Sequence, residues 1–203
     1  MKSIGIWTAA VLATLAVAAT AQVAPNAHRV RMYPGGVGGE PRVDVSGSPL
    51  CFGDGSGAKC GGLIAGGRGH GCENHALTGG ALLQAHGMPS LSDDTFELDG
   101  SSLPFSTTVL YLQGSKIVGN GYGYTFGDGV MCLSGSVRQI GVKRTASGFT
   151  TYPETGDMAV HTIGRVSMLE PIQYYQVMYR DWQAIAEADN FNLSNAWMVN
   201  WIP

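Results

Sequence analysis

The sequence predicts an all-β protein, a β-sandwich of the jelly-roll or Greek-key type preceded by an irregular, disulfide-stapled N-terminal segment. Glycine accounts for 30 of the 203 residues and charged residues for only 13%, which suits short strands joined by tight turns better than long surface helices. From about residue 81, short apolar or alternating runs are separated by Gly, Asp, Ser and Pro, which is the pattern of strands and turns. Repeated short strands at this spacing favour a sandwich first and a closed barrel second.

The first 21 residues predict a cleaved signal peptide. Lys2 precedes an apolar run that ends near Val17, and Ala-Thr-Ala at 19–21 places small residues where signal peptidase reads the −3 and −1 positions. We therefore expect a secreted, extracellular protein whose mature chain begins at Gln22. The apolar run is too short to span a bilayer comfortably, and no second stretch of about 18 apolar residues follows it, so we expect no membrane span.

Three further regions follow the predicted signal peptide. Residues 22–50 are rich in Gly and Pro, which interrupt helices and strands alike, so they predict an irregular arm with at most one short strand at 42–46. Residues 51–80 combine dense glycine with three of the four cysteines and predict a stapled loop. Residues 81–203 predict the sandwich body, which together with the stapled loop forms a single domain, 51–203.

The four cysteines predict a disulfide framework. They are Cys51, Cys60, Cys72 and Cys132, and an even number in an exported chain is normally paired, with three connectivities open to it. We expect two bridges and no free thiol. Among the three connectivities we favour a local bridge between Cys51 and Cys60, with Cys72 and Cys132 tying the loop to the β body.

Short strands fill most of the predicted body. Alternation is clearest at 173–180, where Tyr175, Val177 and Tyr179 fall on one face, and 107–113 is rich in β-forming residues. One segment, 181–189, predicts a helical turn between the last two strands. The predicted strands are 81–86, 95–98, 107–113, 116–119, 129–133, 136–143, 149–152, 159–163, 173–180 and 196–202.

An ordered set of motifs resembles a family of secreted bacterial proteins to which no activity is assigned. The resemblance covers about residues 51–203 and implies export and a disulfide-bonded β domain, without a cofactor or catalytic residue. This chain departs from the family pattern where the family has further cysteines, near 61–62 and 186–190. The motifs are Cys-Phe-Gly-Asp-Gly-Ser-Gly from Cys51, Gly-His-Gly-Cys-Glu-Asn from Gly69, Leu-Gln-Gly from Leu112, Phe-Gly-Asp-Gly-Val-Met-Cys from Phe126, Tyr-Gln-Val-Met-Tyr-Arg-Asp from Tyr175 and Phe-Asn-Leu-Ser-Asn from Phe191.

No catalytic signature stands out in the sequence. The chain has five histidines but no Gly-x-Ser-x-Gly motif that would expose a nucleophile, so we predict no catalytic residue. His70, Cys72 and His75 form one irregular His-x-Cys-x-x-His cluster. Structural zinc sites usually combine two close-spaced ligand pairs, and zinc is therefore a minor alternative here.

Calcium is the ion that the acidic residues suit best. Asp93, Asp94 and Asp99 place carboxylates in predicted loops, and Asp54 and Asp128 do the same in two copies of Phe-Gly-Asp-Gly. The same residue types are ordinary turn formers, because an Asp side chain caps its own backbone. Otherwise we expect no cofactor.

The aromatic residues are the remaining candidates for a ligand-binding surface. Trp197 and Trp201 alternate with other residues in the predicted last strand, so their indoles lie on one face. Core packing is the simpler interpretation. The alternative is a sugar-stacking surface on an open sheet face, to which Tyr122 and Tyr124 in a Gly-rich hairpin would add.

Charge argues against nucleic acid as a partner. The formal net charge is −3, and the basic residues are scattered, with Lys143-Arg144 as the one local doublet, whereas nucleic-acid binders usually carry a basic face. We therefore expect a secreted, non-catalytic binding or cell-surface structural module whose ligand is an extracellular glycan or surface polymer. The alternative is a secreted polysaccharide-active enzyme, either a hydrolase or a metal-dependent oxidative enzyme.

Overall fold

The computed structural model describes residues 47–62, 64–181 and 190–203, all within one compact unit. The predicted signal peptide, the arm as far as residue 46 with its short strand, and residues 182–189 of the predicted helical turn at 181–189 lie outside the described residues. Within the described ranges the chain forms twelve strands and a single α-helix, α1 (Val160–Gly164). The strands are β1 (Ser48–Leu50), β2 (Leu82–His86), β3 (Glu97–Ser101), β4 (Thr108–Gly114), β5 (Lys116–Ile117), β6 (Tyr124–Phe126), β7 (Gly129–Met131), β8 (Leu133–Ser134), β9 (Arg138–Arg144), β10 (Thr150–Tyr152), β11 (Ile172–Arg180) and β12 (Phe191–Asn200).

Antiparallel pairing joins these strands into sheets, which confirms the predicted all-β class. The largest sheet has five strands in the order β1-β12-β11-β4-β9, and a second has three in the order β10-β3-β2. The other strands form two-stranded ribbons, β5-β8 and β6-β7. Among the helices of the described ranges, none is long and apolar enough to cross a membrane.

The two larger sheets contribute side chains to one apolar core. Leu83 and Leu98 come from the three-stranded sheet, whereas Val109, Tyr111 and Val177 come from the five-stranded sheet. Alternate positions of β4 and β11 are buried because successive side chains of a strand point to opposite faces. A shared core is what a layered β fold requires, and the jelly-roll or Greek-key arrangement remains a prediction.

A buried asparagine joins the two sheets directly. The side-chain carbonyl of Asn195 on β12 accepts a hydrogen bond from the backbone N–H of Leu83 on β2 at 2.7 Å, and its amide donates to the Leu83 carbonyl at 3.0 Å. The side chain thus pairs with β2 much as a neighbouring strand would. Because both residues are fully buried, these bonds replace contacts with water that neither backbone group can make.

One disulfide bond links the stapled loop to the β body, and a second closes the loop itself. They join Cys51 to Cys132 and Cys60 to Cys72, and no cysteine is free, so the prediction of two bridges is confirmed. The predicted pairing, Cys51 with Cys60 and Cys72 with Cys132, is wrong. Cys51 directly follows β1, which belongs to the largest sheet, so it is fixed to the body, and the remaining two cysteines close the loop between themselves.

Several segments differ from the sequence prediction. Residues 159–163, predicted as a strand, form α1 instead, with its buried positions Val160 and Gly164 one helical turn apart. Ser48–Leu50, predicted as part of the irregular arm, pairs with β12. Tyr124–Phe126 forms a strand where none is predicted.

Candidate functional site

The two tryptophans of the predicted sugar-stacking surface lie in the core. Trp197 is 8% exposed and Trp201 is 1% exposed, so neither can offer a ring face to a glycan, and the hypothesis is wrong for both. Trp201 packs edge-on against Phe96 at 5.4 Å, and its indole N–H donates to the Tyr175 hydroxyl at 3.0 Å. Both tryptophans are therefore core residues, and the buried indole of Trp201 has a polar partner.

The two tyrosines of that hypothesis are at the surface. Tyr122 is 62% exposed and Tyr124 is 46% exposed, and Phe126 beside them is 38% exposed. We call residues 122–131 the aromatic hairpin. It is asymmetric, because every residue of β6 is exposed whereas every residue of β7 is buried.

Backbone contacts hold the aromatic hairpin against the stapled loop. The Ala58 N–H donates to the Tyr122 carbonyl at 3.0 Å, and the Thr125 hydroxyl donates to the Lys59 carbonyl at 2.6 Å. Gly123 has a φ of +71°, and a Cβ at this position would lie 2.9 Å from Cys51 Sγ. Glycine alone fits such a backbone conformation at such a close approach, so the exposed rings sit on a fixed backbone.

The exposed rings continue into a row of aromatic side chains. The rings of Tyr124 and Phe126 meet edge-on at 6.1 Å between centroids, and Phe126 lies 5.0 Å from the ring of Phe191. Phe191 is the first residue of β12, so the row ends on the largest sheet. The pairs are tilted rather than coplanar, which gives a ridged surface instead of a flat one.

The three aspartates of the predicted calcium site are not brought together. Both the backbone N–H and Nδ1 of His161 donate to Asp94 Oδ2, at 3.1 Å and 2.7 Å. Asp99 instead accepts from the Thr151 hydroxyl at 2.7 Å and lies 3.1 Å from a histidine ring. Asp93 is exposed, and its N–H donates to the Ser90 hydroxyl at 3.1 Å, which is turn capping.

The second Asp pair and the zinc cluster do not form the predicted sites either. Asp54 accepts hydrogen bonds from Ser56 and from the Gly69 N–H within its own loop, and among the described residues it belongs to no group of three potential metal ligands. Cys72 is bound in a disulfide and so has no thiolate to offer a metal ion. His70 donates from Nδ1 to the Gly80 carbonyl at 2.7 Å, a structural role.

One histidine links two carboxylates on the three-stranded sheet. His86 Nε2 lies 2.8 Å from Glu97, and Nδ1 lies 3.1 Å from Asp99. The hydrogen bond to Asp99 is the main cause that raises the pKa of His86, with partial burial opposing it. The group therefore favours a protonated imidazole between two acids.

An open cleft of about 620 Å³ lies beside this group. Glu97, Glu154 and Asp157 line it, but Lys143 lies 2.7 Å from Glu154 and 2.5 Å from Asp157. The hydrogen bond from Lys143 lowers the pKa of Asp157. All three carboxylates are thus held in ion pairs, Glu97 with His86 and the other two with Lys143, which suits a surface network better than acid–base chemistry.

A carboxylate, an imidazole and a hydroxyl follow one another at α1. His161 binds Asp94 through Nδ1, and its Nε2 lies 3.0 Å from the hydroxyl of Thr162. With Nδ1–H donating to the carboxylate, Nε2 is free to accept the hydroxyl proton, which is the order of groups in a nucleophilic triad. Sequence motifs for serine nucleophiles do not identify it, because the hydroxyl belongs to the residue next to the histidine.

A further cluster brings together three residues that the sequence places far apart. His75, Asp128 and Asp181 offer ligand atoms that all lie within 4.8 Å of one another. His75 lies in the stapled loop, Asp128 lies in the turn between β6 and β7, and Asp181 directly follows β11. The sequence marks each of them in a separate motif, and no spacing rule links the three.

The start of β12 positions the segments that carry this cluster. The backbone carbonyls of residues 190 and 191 accept hydrogen bonds from the N–H groups of Asp181 and Asp128, at 3.1 Å each. The side-chain amide of Asn192 donates to the carbonyl of Glu73 at 2.9 Å, two residues before His75. One strand end therefore fixes the backbone of all three segments.

The chain has no match among known proteins in three comparisons. No family model, curated protein or solved structure matches it. The resemblance to a family of secreted bacterial proteins accordingly stays a prediction.

Proposed function

We propose that the protein is an exported, non-catalytic binding module that contacts an extracellular glycan through its aromatic hairpin. The observation that carries this proposal is the exposure of Tyr122, Tyr124 and Phe126 from one anchored hairpin. Rings of this size are costly to leave in water, and contiguous exposed apolar surface usually marks a contact site.

The fixed backbone of the hairpin favours binding. Hydrogen bonds at Tyr122 and Thr125 and the close contact at Gly123 already order the chain. Binding then costs little conformational entropy beyond the few side-chain torsions of each ring. A preorganised aromatic surface can therefore retain a ligand with modest contact area.

The chemistry of the hairpin favours a neutral ligand. No charged residue occurs between Gly119 and Gly127, where the sequence reads Gly-Asn-Gly-Tyr-Gly-Tyr-Thr-Phe-Gly. Ring faces suit the C–H face of a pyranose, and tyrosine hydroxyls and the Asn120 amide provide hydrogen bonds to sugar hydroxyls. An anionic polymer would instead call for Arg or Lys at the contact.

The ridged shape of the surface indicates weak binding to each sugar. The rings of Tyr124 and Phe126 are inclined by 65° to each other, so one flat sugar can stack on only one of them. Useful retention then depends on a polymer that presents many copies of the ligand. Insoluble polysaccharides of cell surfaces have this property.

Pull-down on a panel of insoluble polysaccharides tests the proposal. If each ring contributes about 1 kcal/mol, Tyr122→Ala, Tyr124→Ala and Phe126→Ala each weaken retention about fivefold. Phe105→Ala and Phe149→Ala are matched controls, because both remove an exposed ring outside the hairpin. We expect the controls to bind as the wild type does.

Two outcomes would contradict the proposal. If no polysaccharide retains the wild-type protein, the module has a different ligand or only a structural role. If the hairpin variants and the controls bind equally well, the contact surface lies elsewhere. Circular dichroism of each variant separates lost contact from lost folding.

The second candidate function is a secreted hydrolase, favoured by the Asp94–His161–Thr162 arrangement. In that case Thr162 would be the nucleophile, His161 its base and Asp94 the group that orients the ring. Incubation with ester-substituted forms of the same polysaccharides distinguishes the two functions, because a nucleophilic triad cleaves acyl bonds whereas glycosidic bonds are usually cleaved by a pair of carboxylates. Release of a carboxylic acid that Thr162→Val abolishes would favour the enzyme, whereas retention without release favours the binding module.

A further inference from the structure

We infer that His75, Asp128 and Asp181 bind one divalent transition-metal ion, for which zinc is the test ion, independently of the proposed glycan surface. The ion would lie where the stapled loop, the aromatic hairpin and the end of β11 meet. Its ligands would be one imidazole nitrogen and two carboxylate oxygens.

Burial of the two carboxylates is the first observation. Asp128 is 3% exposed and Asp181 is 1% exposed, and their ligand oxygens lie within 4.8 Å of each other. Two negative charges at this separation repel strongly where water cannot screen them. A divalent cation between them would remove that repulsion.

The position of the imidazole nitrogen is the second, independent observation. His75 Nδ1 lies 3.2 Å from Asp181 Oδ2, and among the described residues this buried nitrogen makes no contact with the geometry of a hydrogen bond. Two ligand atoms on one tetrahedral zinc ion, each about 2.1 Å from the metal, lie roughly 3.4 Å apart. The observed distance between the two atoms is close to that value.

The mixture of ligand atoms selects the class of ion. Calcium takes 6–8 oxygen ligands, and magnesium keeps several waters around one or two carboxylates. An imidazole nitrogen with two carboxylate oxygens suits zinc or another first-row transition ion. About a quarter of the His75 side chain is exposed, so water can complete the coordination from that side.

Backbone hydrogen bonds hold the ligands in place. Both oxygens of Asp181 accept from the His75 N–H, at 3.2 and 3.3 Å, which orients the carboxylate beside the ring. The Gly62 N–H donates to the Asp128 carbonyl at 3.3 Å, so the loop closed by the Cys60–Cys72 bridge packs on the cluster. Such outer contacts typically tune metal affinity tenfold or more.

Zinc binding by the exported, disulfide-bonded protein tests the inference. After loading with zinc and dialysis, elemental analysis should find about one zinc per chain, and calorimetry a single saturable site. We expect Asp128→Asn and His75→Gln to weaken binding at least tenfold. His86→Gln is the matched control, because His86 also faces two carboxylates, and we expect it to bind zinc as the wild type does.

Three results would overturn the inference. They are the lack of a saturable one-to-one site in the wild-type protein, loss of zinc in His86→Gln, and displacement of zinc by excess calcium. A thermal melt with and without zinc gives a second measurement if a ligand variant folds poorly. We expect zinc to raise the melting temperature of the wild type and of His86→Gln, and a wild-type melt that zinc leaves unchanged would also overturn the inference.

Discussion

Gly123→Ala tests whether the aromatic hairpin is held as tightly as its contacts indicate. The φ of Gly123 is +71°, and a Cβ there would lie 2.5 Å from Val130 Cγ1 and 2.9 Å from Cys51 Sγ. The left-handed conformation costs alanine about 1–2 kcal/mol, and overpacking of the buried side adds about 1–3 kcal/mol. We therefore expect the free energy of unfolding to fall by about 2–5 kcal/mol.

Gly121→Ala is the matched control for this substitution. Gly121 has a φ of +90°, but a Cβ at its position would have no heavy atom within 4 Å. Gly121→Ala should therefore lower the free energy of unfolding only by the cost of the left-handed backbone conformation, about 1–2 kcal/mol. Urea unfolding of both variants at equal m-values measures the difference, and equal losses for the two would refute the close packing around Gly123.

Three further substitutions test the fold and its electrostatics. Replacing both Cys51 and Cys132 by Ser opens a loop with a sequence separation of 81, and chain entropy predicts a loss of about 4.5 kcal/mol; a loss below about 1 kcal/mol would contradict that bridge. Asn195→Ala leaves both backbone groups of Leu83 without their buried partner. In urea unfolding the free energy of unfolding should fall by about 2–4 kcal/mol. An unchanged midpoint would contradict the hydrogen-bonded link between the sheets. Because the folded-state pKa of His86 is raised, its ion pairs stabilise the fold fully below the unfolded pKa of about 6.5, and this stabilisation is lost as pH rises through the folded pKa. His86→Gln should therefore lower the free energy of unfolding at pH 5.5 but not at pH 9. A larger loss at pH 9 than at pH 5.5 would contradict the ion pairs of His86.

The sequence predicts strands best where one side faces the core. The alternation at 173–180 identifies β11, since Tyr175, Val177 and Tyr179 are all buried. It cannot identify β6, because three residues are too few to establish an alternation. The helix α1 is missed because five residues are too few to separate a helical period from a strand period.

Residues that depend on distant contacts are harder to predict than strands. The connectivity of the four cysteines follows from the pairing of β1 with β12, and no local pattern encodes that pairing. His75, Asp128 and Asp181 converge because the start of β12 binds each of their segments. The sequence alone leaves Trp197 and Trp201 either in the core or on an exposed face, and only the packing places both in the core.

An NMR titration of the protein with soluble fragments of a retained polysaccharide tests the central claim most directly. The account predicts that amide shift changes concentrate at residues 119–126 and that no shorter sugar products accumulate. Shift changes centred on Asp94, His161 and Thr162, together with newly released sugars, would contradict it.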